Sequence, residues 1–206
     1  MMDICVNTIV RNGDDFITPV LKALIPYARI VVTIDSRSSD RTVDIISSLP
    51  VEWDIYQVEN PSRDLVAMRN HQLSLVKEKY VWIVDSDEYY PQVVMEELKR
   101  FNFEKDAYAF KCWAPWDGER AHRASSKNPI PRIFKMTPGL KWNKKFGKEF
   151  LYKGECELLP WRYIHFTHLK KDNWRQEMRQ LRVADDKHLM KLPPDYELEV
   201  KKIIKK

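Results

Sequence analysis

The sequence predicts a single α/β domain built on a mostly parallel, twisted sheet flanked by helices, with a more irregular second half and a C-terminal helix. Three observations carry that prediction. Strand-like apolar runs alternate four times with helix-like segments inside the first 100 residues. The second of these runs, ARIVVTID at 28–35, is apolar almost throughout, as a strand covered on both faces must be. Acidic clusters follow the second and fourth runs immediately, where an open parallel sheet gathers its ligands.

The elements follow in order. DICVNTIV (3–10) reads as the first strand, and FITPVLKALI (16–25) as a short helix that tolerates Pro19 near its start. After the strand at 28–35, SSDRTVDIISSL (38–49) reads as a helix capped by Ser38, Ser39 or Asp40. EWDIYQV (52–58) is a third strand, Pro61 opens a helix to about Lys77, YVWIVD (80–85) is a fourth strand, and Pro91 begins a helix ending near Phe101. Beyond it DAYAFKCW (106–113) and PRIFKM (131–136) read as strands joined by a polar loop long enough to suggest an active-site segment. Short strands are expected near 149–152 and 162–166, and a helix over 172–190 that Pro193 and Pro194 end. The chain thus divides into 1–100, 101–170 of the same domain, and a helix with a basic tail over 171–206.

Composition narrows the class. The chain has 206 residues, enough for one substantial core and short for two, and 44% hydrophobic with 32% charged residues describes a globular protein. A net charge of +5, with four lysines among the last six residues, suits nucleotides or acidic lipid headgroups. Nucleic acid is a poorer partner, because aromatics interleaved with Lys and Arg form no recognised motif. Cys5, Cys112 and Cys156 have no CxxC spacing and cannot all pair, and Cys5 and Cys112, in apolar runs, read as reduced core thiols. With no run of 18 apolar residues and no leader pattern, the expectation is a cytoplasmic protein that meets the inner membrane face only peripherally, through its basic tail. Residues 14–117 contain no glycine, which argues against a P-loop or a dinucleotide fingerprint.

The candidate chemistry lies in two clusters. IDSRSSDRT puts Asp35 at the end of the second strand, in reach of a ribose or a base N–H. IVDSDE puts Asp85, Asp87 and Glu88 after the fourth; in extended backbone Asp85 and Asp87 point to one side and could converge on Mn²⁺ or Mg²⁺. Arg63 and Arg69 flank a helix start and could meet a diphosphate or pair with an acid such as Asp64. Of His165 and His168, the second is preferred as a metal ligand or phosphate contact.

Four segments, the opening strand with IVRNGDD, VVTIDSRSSDRTVDI, RDLVAMRNHQL and YVWIVDSDEYY, together resemble family 2 glycosyltransferases of GT-A fold over residues 3–100. The resemblance implies an inverting, metal-dependent transfer of sugar from a nucleoside diphosphate, UDP favoured and GDP or dTDP allowed, to a carbohydrate or lipid-linked acceptor. It makes 1–100 the nucleotide-sugar half and 101–170 the acceptor side. It matches Asp35 to the base-binding aspartate, Asp85 and Asp87 to the DxD acids, and Arg69 to an arginine of the preceding helix. The family's ED pair, which carries the catalytic base, is missing here. Asp117 is the first candidate for that base, followed by Glu119, Glu149 and Glu155; Trp113 and Trp116 read as sugar-stacking rings or core residues, and Trp142 as a core residue. A nucleotidyltransferase and a non-catalytic nucleotide-sugar or nucleic-acid binding domain are the competing readings.

Overall fold

Strand β1 (Ile4–Val10) lies at the centre of a parallel unit, with β2 (Arg29–Asp35) on one side and β4 (Tyr80–Ile83) on the other. Strand β3 (Glu52–Tyr56) extends the unit beside β2 and forms one edge of the sheet. The computed structural model describes the chain apart from residues 60, 123–128, 144–149, 153, 167–168, 170–188 and 205–206, and apart from the side chains of 61–63, 122, 150 and 151. The helices between these strands are α1 (Ile17–Leu24), α2 (Thr42–Ser47) and α3 (Pro61–Ser74), and α4 (Gln92–Arg100) follows the short strand β5 (Glu88–Tyr89).

The second half continues the same sheet. Strands β6 (Ala107–Trp113), β8 (Ile130–Lys135) and β11 (Cys156–His165) complete the order β3-β2-β1-β4-β8-β6-β11-β5. Strand β8 is antiparallel to both β4 and β6, so the sheet is mixed, yet β6 and β11 again run parallel to β1. The carboxyl ends of β1, β2, β3, β4, β6 and β11 therefore share one edge. Two-stranded pieces, β7 (Arg120–His122) with β12 (Leu189–Lys191) and β9 (Lys141–Trp142) with β10 (Phe150–Leu151), stand beside it, and α5 (Pro194–Ile204) ends the described chain.

Alternation along the strands explains both layers. In β4, Tyr80 and Trp82 join the cluster that contains α1 and α4 residues, while Val81 and Ile83 join Leu73 of α3 on the other face. Aromatic rings dominate the first cluster: Trp82 meets Tyr90 edge-on at 4.5 Å, and Tyr90 stacks on Tyr163 at 5.2 Å. Such pairs add about 0.5–1.5 kcal/mol each beyond the area they bury. A third cluster lies at the carboxyl edge, where Phe16 stacks on Phe166 at 4.6 Å and Val200 of α5 is fully buried.

Two elements differ from the sequence expectation. Helix α2 starts at Thr42 rather than Ser38, because residues 38–40 are drawn into the loop after β1. The N-cap position falls on Arg41, whose side chain makes no capping hydrogen bond, and Asp40 just before it accepts the Thr42 N–H through Oδ1 at 3.0 Å. The helix expected over 172–190 falls outside the described residues as far as 188, and its expected last residues, Leu189 and Met190, instead lie in strand β12, paired with β7. Pro193 and Pro194 instead precede and open α5, a position where the missing proline N–H costs nothing.

Candidate active site

The wall of the site is set by the loop after β1. A Cβ on Gly13 would lie 2.4 Å from Val10 Cγ2, so only glycine fits, and Asn12 holds a left-handed φ of 49° that its type tolerates. The loop is laced to the start of α2: Gly13 N–H donates to Thr42 Oγ1 at 2.7 Å, Asp14 N–H to Asp40 at 3.0 Å, and Ser39 N–H to Asn12 Oδ1 at 2.9 Å. The edge is thereby fixed without regular structure.

Asp35 stands at the end of β2, only 6% exposed. Its Oδ1 accepts both the backbone N–H and the Nε–H of Arg37 at 2.9 Å, and its Oδ2 accepts Arg37 Nη2 at 2.5 Å. The guanidinium holds the carboxyl below its ordinary pKa against the opposing effect of burial.

Two strands away, the DSDE turn carries three carboxylates in three environments. Asp85 Oδ1 accepts Arg69 Nη2 at 2.9 Å and its Oδ2 accepts Arg132 Nη2 at 3.3 Å. Burial works to raise the Asp85 pKa, but Arg132 and Arg69 outweigh it and the pKa is lowered. Glu88 is wholly buried and ion-paired to Arg132; burial pushes it up to about 7, with Asp85 and Asp87 adding to the rise against Arg132. Asp87, 5% exposed, lies 3.5 Å from His165 Nε2. Burial alone would depress His165, yet hydrogen bonds to Asp87 and Cys112 and the charge of Asp87 win, and the imidazole is raised to about 10.

The pairing of β11 with β5 makes this meeting possible, since it sets His165 opposite Glu88, and Phe166 N–H donates to Asp87 C=O at 2.8 Å. Arg69 reaches Asp85 from α3 with its guanidinium 4.5 Å over the Trp142 ring. Trp142 is anchored in turn by Asn70, which accepts its N–H at 2.8 Å. Three carboxylates thus face three protein cations, Arg69, Arg132 and His165.

A divalent cation fits part of this arrangement. Each oxygen of Asp85, expected from sequence as a metal ligand, accepts from an arginine, Arg69 of α3 on one and Arg132 of β8 on the other. Asp87 offers one carboxylate, compatible with Mn²⁺ or Mg²⁺ when substrate phosphate and water supply the remainder, and His165, protonated in its pairing with Asp87, could join it only on giving up that proton. Among the described residues no group of three or more His, Cys, Asp or Glu side chains is placed to hold a metal alone. His168, preferred from sequence, lies outside the described residues, as do Glu149 and the side chain of Arg63. The imidazole brought to Asp87 is His165.

The other sequence candidates are committed elsewhere. Glu155 precedes β11 at the far edge of the sheet and pairs with Lys105 at 2.6 Å, so the whole strand length separates it from the DSDE turn. That placement removes it from the site. Glu119 pairs with Lys201 of α5 at 3.0 Å. Asp117 accepts the N–H groups of Glu119 and Arg120 at 2.9 and 2.7 Å and Arg120 Nε at 2.8 Å; these outweigh burial and lower its pKa. Trp113 is 7% exposed and carries the Arg162 guanidinium 4.6 Å over its ring, which makes it a packing residue.

Arg37 and Arg132 are site residues that the sequence reading passed over. The available signal for Arg132 was a single arginine inside the apolar strand PRIFKM, since arginine is buried only with a partner.

Fold and site together define an α/β domain of GT-A type, with acids and arginines converging on one edge of a mixed sheet. The chain belongs to glycosyl transferase family 2, whose family model matches residues 5–180. It is a glycosyltransferase. No curated protein matches the sequence. Among solved structures, a fragment of TarS from S. aureus, residues 1–349, superposes with a TM-score of 0.60 at 16% identity, over 98% of this chain and 69% of that one. The same fragment in complex with UDP gives 0.59 at 14% identity, over 98% and 70%. A longer TarS chain gives 0.59 at 14%, and there the match spans 98% of this chain and 43% of that one. These likenesses concern the fold.

Proposed function

We propose that the chain transfers a sugar, with inversion, from a nucleoside diphosphate to an acceptor hydroxyl. The observation that carries this reading is the convergence at one sheet edge of the Asp35–Arg37 pair, the arginine-bound Asp85, and Asp87 beside His165. Strands β2 and β4 lie on either side of β1, so the two acidic groups are separated by about two strand spacings, roughly 10 Å. That span suits a nucleoside at the Asp35 end with its diphosphate at the DSDE turn. UDP is the favoured donor nucleotide, because a fold neighbour was solved with UDP.

The chain's own groups define the tasks. Among the described residues Arg69 Nη1 and Arg132 Nε have no hydrogen-bond partner, and both guanidinium groups pair with the turn that would receive the diphosphate. Arg69, 2.9 Å from Asp85, is proposed to contact a phosphate oxygen; Arg132 pairs with both Asp85 and Glu88 and fixes them. Asp87, joined by His165 only once the imidazole gives up its proton, would hold Mn²⁺ or Mg²⁺, which when bound would neutralise charge on the departing nucleoside diphosphate. The acceptor's proton requires a base from the second half. With Glu155 at the far edge and Glu119 and Asp117 bound to Lys201 and Arg120, the role passes to Glu149 for testing. A carbohydrate or lipid-linked acceptor would enter from the β6–β7 side. Contact with anionic lipid through the tail draws less support, since Lys201 and Lys202 are ion-paired to Glu197 and Glu199. No helix among the described residues is long and apolar enough to cross a membrane.

A thermal-shift panel of UDP, GDP, dTDP and CDP, with and without Mn²⁺, on wild type and Asp87→Ala, tests the reading. A ligand at 100 times its Kd stabilises the native state by about 2.7 kcal/mol, enough to move the midpoint by several degrees. A shift that needs both Mn²⁺ and Asp87 is expected for one nucleotide. Absence of any shift, supported by calorimetry showing no binding, would overturn the donor-site reading.

A further inference from the structure

We propose that strand β3 is a contact surface for a second copy of the chain, and that two copies pair antiparallel through their β3 edges about a two-fold axis at Ile55. The inference is independent of the donor-site reading.

The two edges of the sheet are finished differently. Strand β5 ends one side with only two residues, Glu88 being buried and Tyr89 hydrogen-bonded to Glu199 of α5 at 2.9 Å. Strand β3 ends the other side with five residues, none of them buried, and no strand among the described residues lies beyond it. Its Trp53 is 41% exposed and its Ile55 45%. Edges of monomeric sheets are ordinarily blunted by lysine, proline, a bulge or extreme shortness. Here the register against β2 runs unbroken to Tyr56, and β3 contains no lysine, proline or glycine.

The backbone identifies the groups on offer. Ser36 N–H donates to Tyr56 C=O at 3.0 Å, and Tyr56 is the register partner of Asp35, so Tyr56 turns its peptide groups toward β2. Peptide groups alternate in direction along a strand. Those of Glu52 and Asp54 therefore face β2 as well, and the N–H and C=O of Trp53 and Ile55 face outward. The exposed side chains belong to the same two residues and share one face of the sheet. An edge of this kind takes an extended strand.

Charge selects the strand and its register. Glu52 pairs with Arg29 at 2.6 Å and Asp54 with His71 at 2.8 Å, so the edge is not a bare acidic row that would repel its own copy. A two-fold axis at Asp54 would still set two carboxylates directly opposite each other, which is destabilising. An axis at Ile55 avoids that. Ile55 then meets the partner's Ile55, Trp53 meets the partner's Gln57, and on the other face Asp54 meets the phenol of the partner's Tyr56. Each outward-facing pair exchanges two backbone hydrogen bonds. The strand is thus complementary to itself, as a closed two-fold interface requires. Because the contact is short, the expected association is weak, with a Kd on the order of micromolar, and not obligate.

The test is sedimentation velocity of the full chain over a concentration series, joined to hydrogen exchange at the β3 amides. Wild type is expected to pass from monomer to dimer, the Trp53 and Ile55 amides gaining protection as the dimer forms. Ile55→Lys brings two ammonium groups together at the axis and should weaken association at least about tenfold, with the unfolding midpoint of the monomer unchanged because the side chain is exposed. Trp53→Lys should weaken it by about as much. Val93→Lys, at a residue 62% exposed on α4, should leave association as in wild type. A wild type that is monomeric at every concentration overturns the inference, and constant protection of the edge amides in that monomer would assign the edge to another part of the same chain. Assembly beyond a dimer overturns the two-fold closure. A dimer indifferent to both β3 variants overturns the assignment to this edge. Should Ile55→Lys fail to fold, Trp53→Lys decides alone.

Discussion

Opposite ends of the sheet carry arginine clusters that look alike in composition and differ in how completely they are satisfied. At the amino ends of the strands Arg29 donates to Glu52 through Nε and Nη2, both at 2.6 Å, and through Nη1 to Leu75 C=O at 3.1 Å and Glu78 at 3.3 Å. Each nitrogen of that guanidinium has an acceptor. At the carboxyl ends Arg69 and Arg132 are more deeply buried, at 12% and 11% against 23% for Arg29, yet Arg69 Nη1 and Arg132 Nε have no hydrogen-bond partner among the described residues. Nearly all buried polar groups in folded proteins are paired, so a guanidinium N–H left without a partner beside the acidic turn marks a place where a ligand would add one. The first cluster closes the base of the sheet, and the second is left incomplete on the edge where the chemistry belongs.

The largest effect that would sharpen this contrast concerns Arg132. Arg132→Met leaves Glu88, fully buried, without its cation, and removal of one partner from a buried pair costs about 3–5 kcal/mol. Urea unfolding should show that loss, and Glu88→Gln in the same chain should restore most of it. A loss under about 1 kcal/mol would mean that Glu88 is protonated and indifferent to the arginine, so that Arg132 belongs to the ligand alone.

The parallel unit of the sheet and its two acidic turns were legible in the sequence because they depend on local pattern. Apolar runs of strand length, helix periodicity and acids at strand ends are all properties of neighbouring residues. The mixed character of the second half was not legible, since the insertion of β8 between β4 and β6 is a long-range choice that leaves no mark in either strand. The same holds for the site. Asp35, Asp85 and Asp87 announce themselves by position, whereas their cations come from α3, β8 and β11 and become partners only through the register that sets His165 opposite Glu88. Arg37 is the exception, being two residues from its partner. It was overlooked because a turn arginine is ordinarily a solvated surface group.

A smaller pair of effects sets the two clusters directly against each other. Arg29→Ala should lower stability by about 1 kcal/mol or slightly more, as a partly exposed ion-pair network predicts, and leave nucleoside diphosphate affinity untouched. Arg69→Ala should do the reverse in calorimetry, weakening the nucleotide by about 1.5–3 kcal/mol, the range for a hydrogen bond to a charged group, with little change in unfolding midpoint. Loss of nucleotide binding in Arg29→Ala would show that the far end of the sheet is coupled to the site, and the distinction between a closed and an open cluster would fail.

The smallest expected effect concerns Asp117, which by satisfaction of its oxygens resembles the Arg29 cluster more than the DSDE turn. Its carboxylate accepts two backbone N–H groups and the Arg120 guanidinium, so a proton-abstracting role would require it to release the turn it holds. Asp117→Asn is expected to cost less than about 1 kcal/mol, because the ion pair with Arg120 is well exposed to screening water. The sign with pH follows from the lowered pKa. The contribution is present above the ordinary carboxylate value of 3.8 and disappears as pH falls through the lower folded value, so wild type and variant should converge in acid. Turnover of the donor identified by the nucleotide panel should survive in Asp117→Asn. A collapse of turnover with stability intact would instead place this carboxylate at the acceptor, and satisfaction of hydrogen bonds in the ligand-free protein would then be a poor guide to which acids here do chemistry.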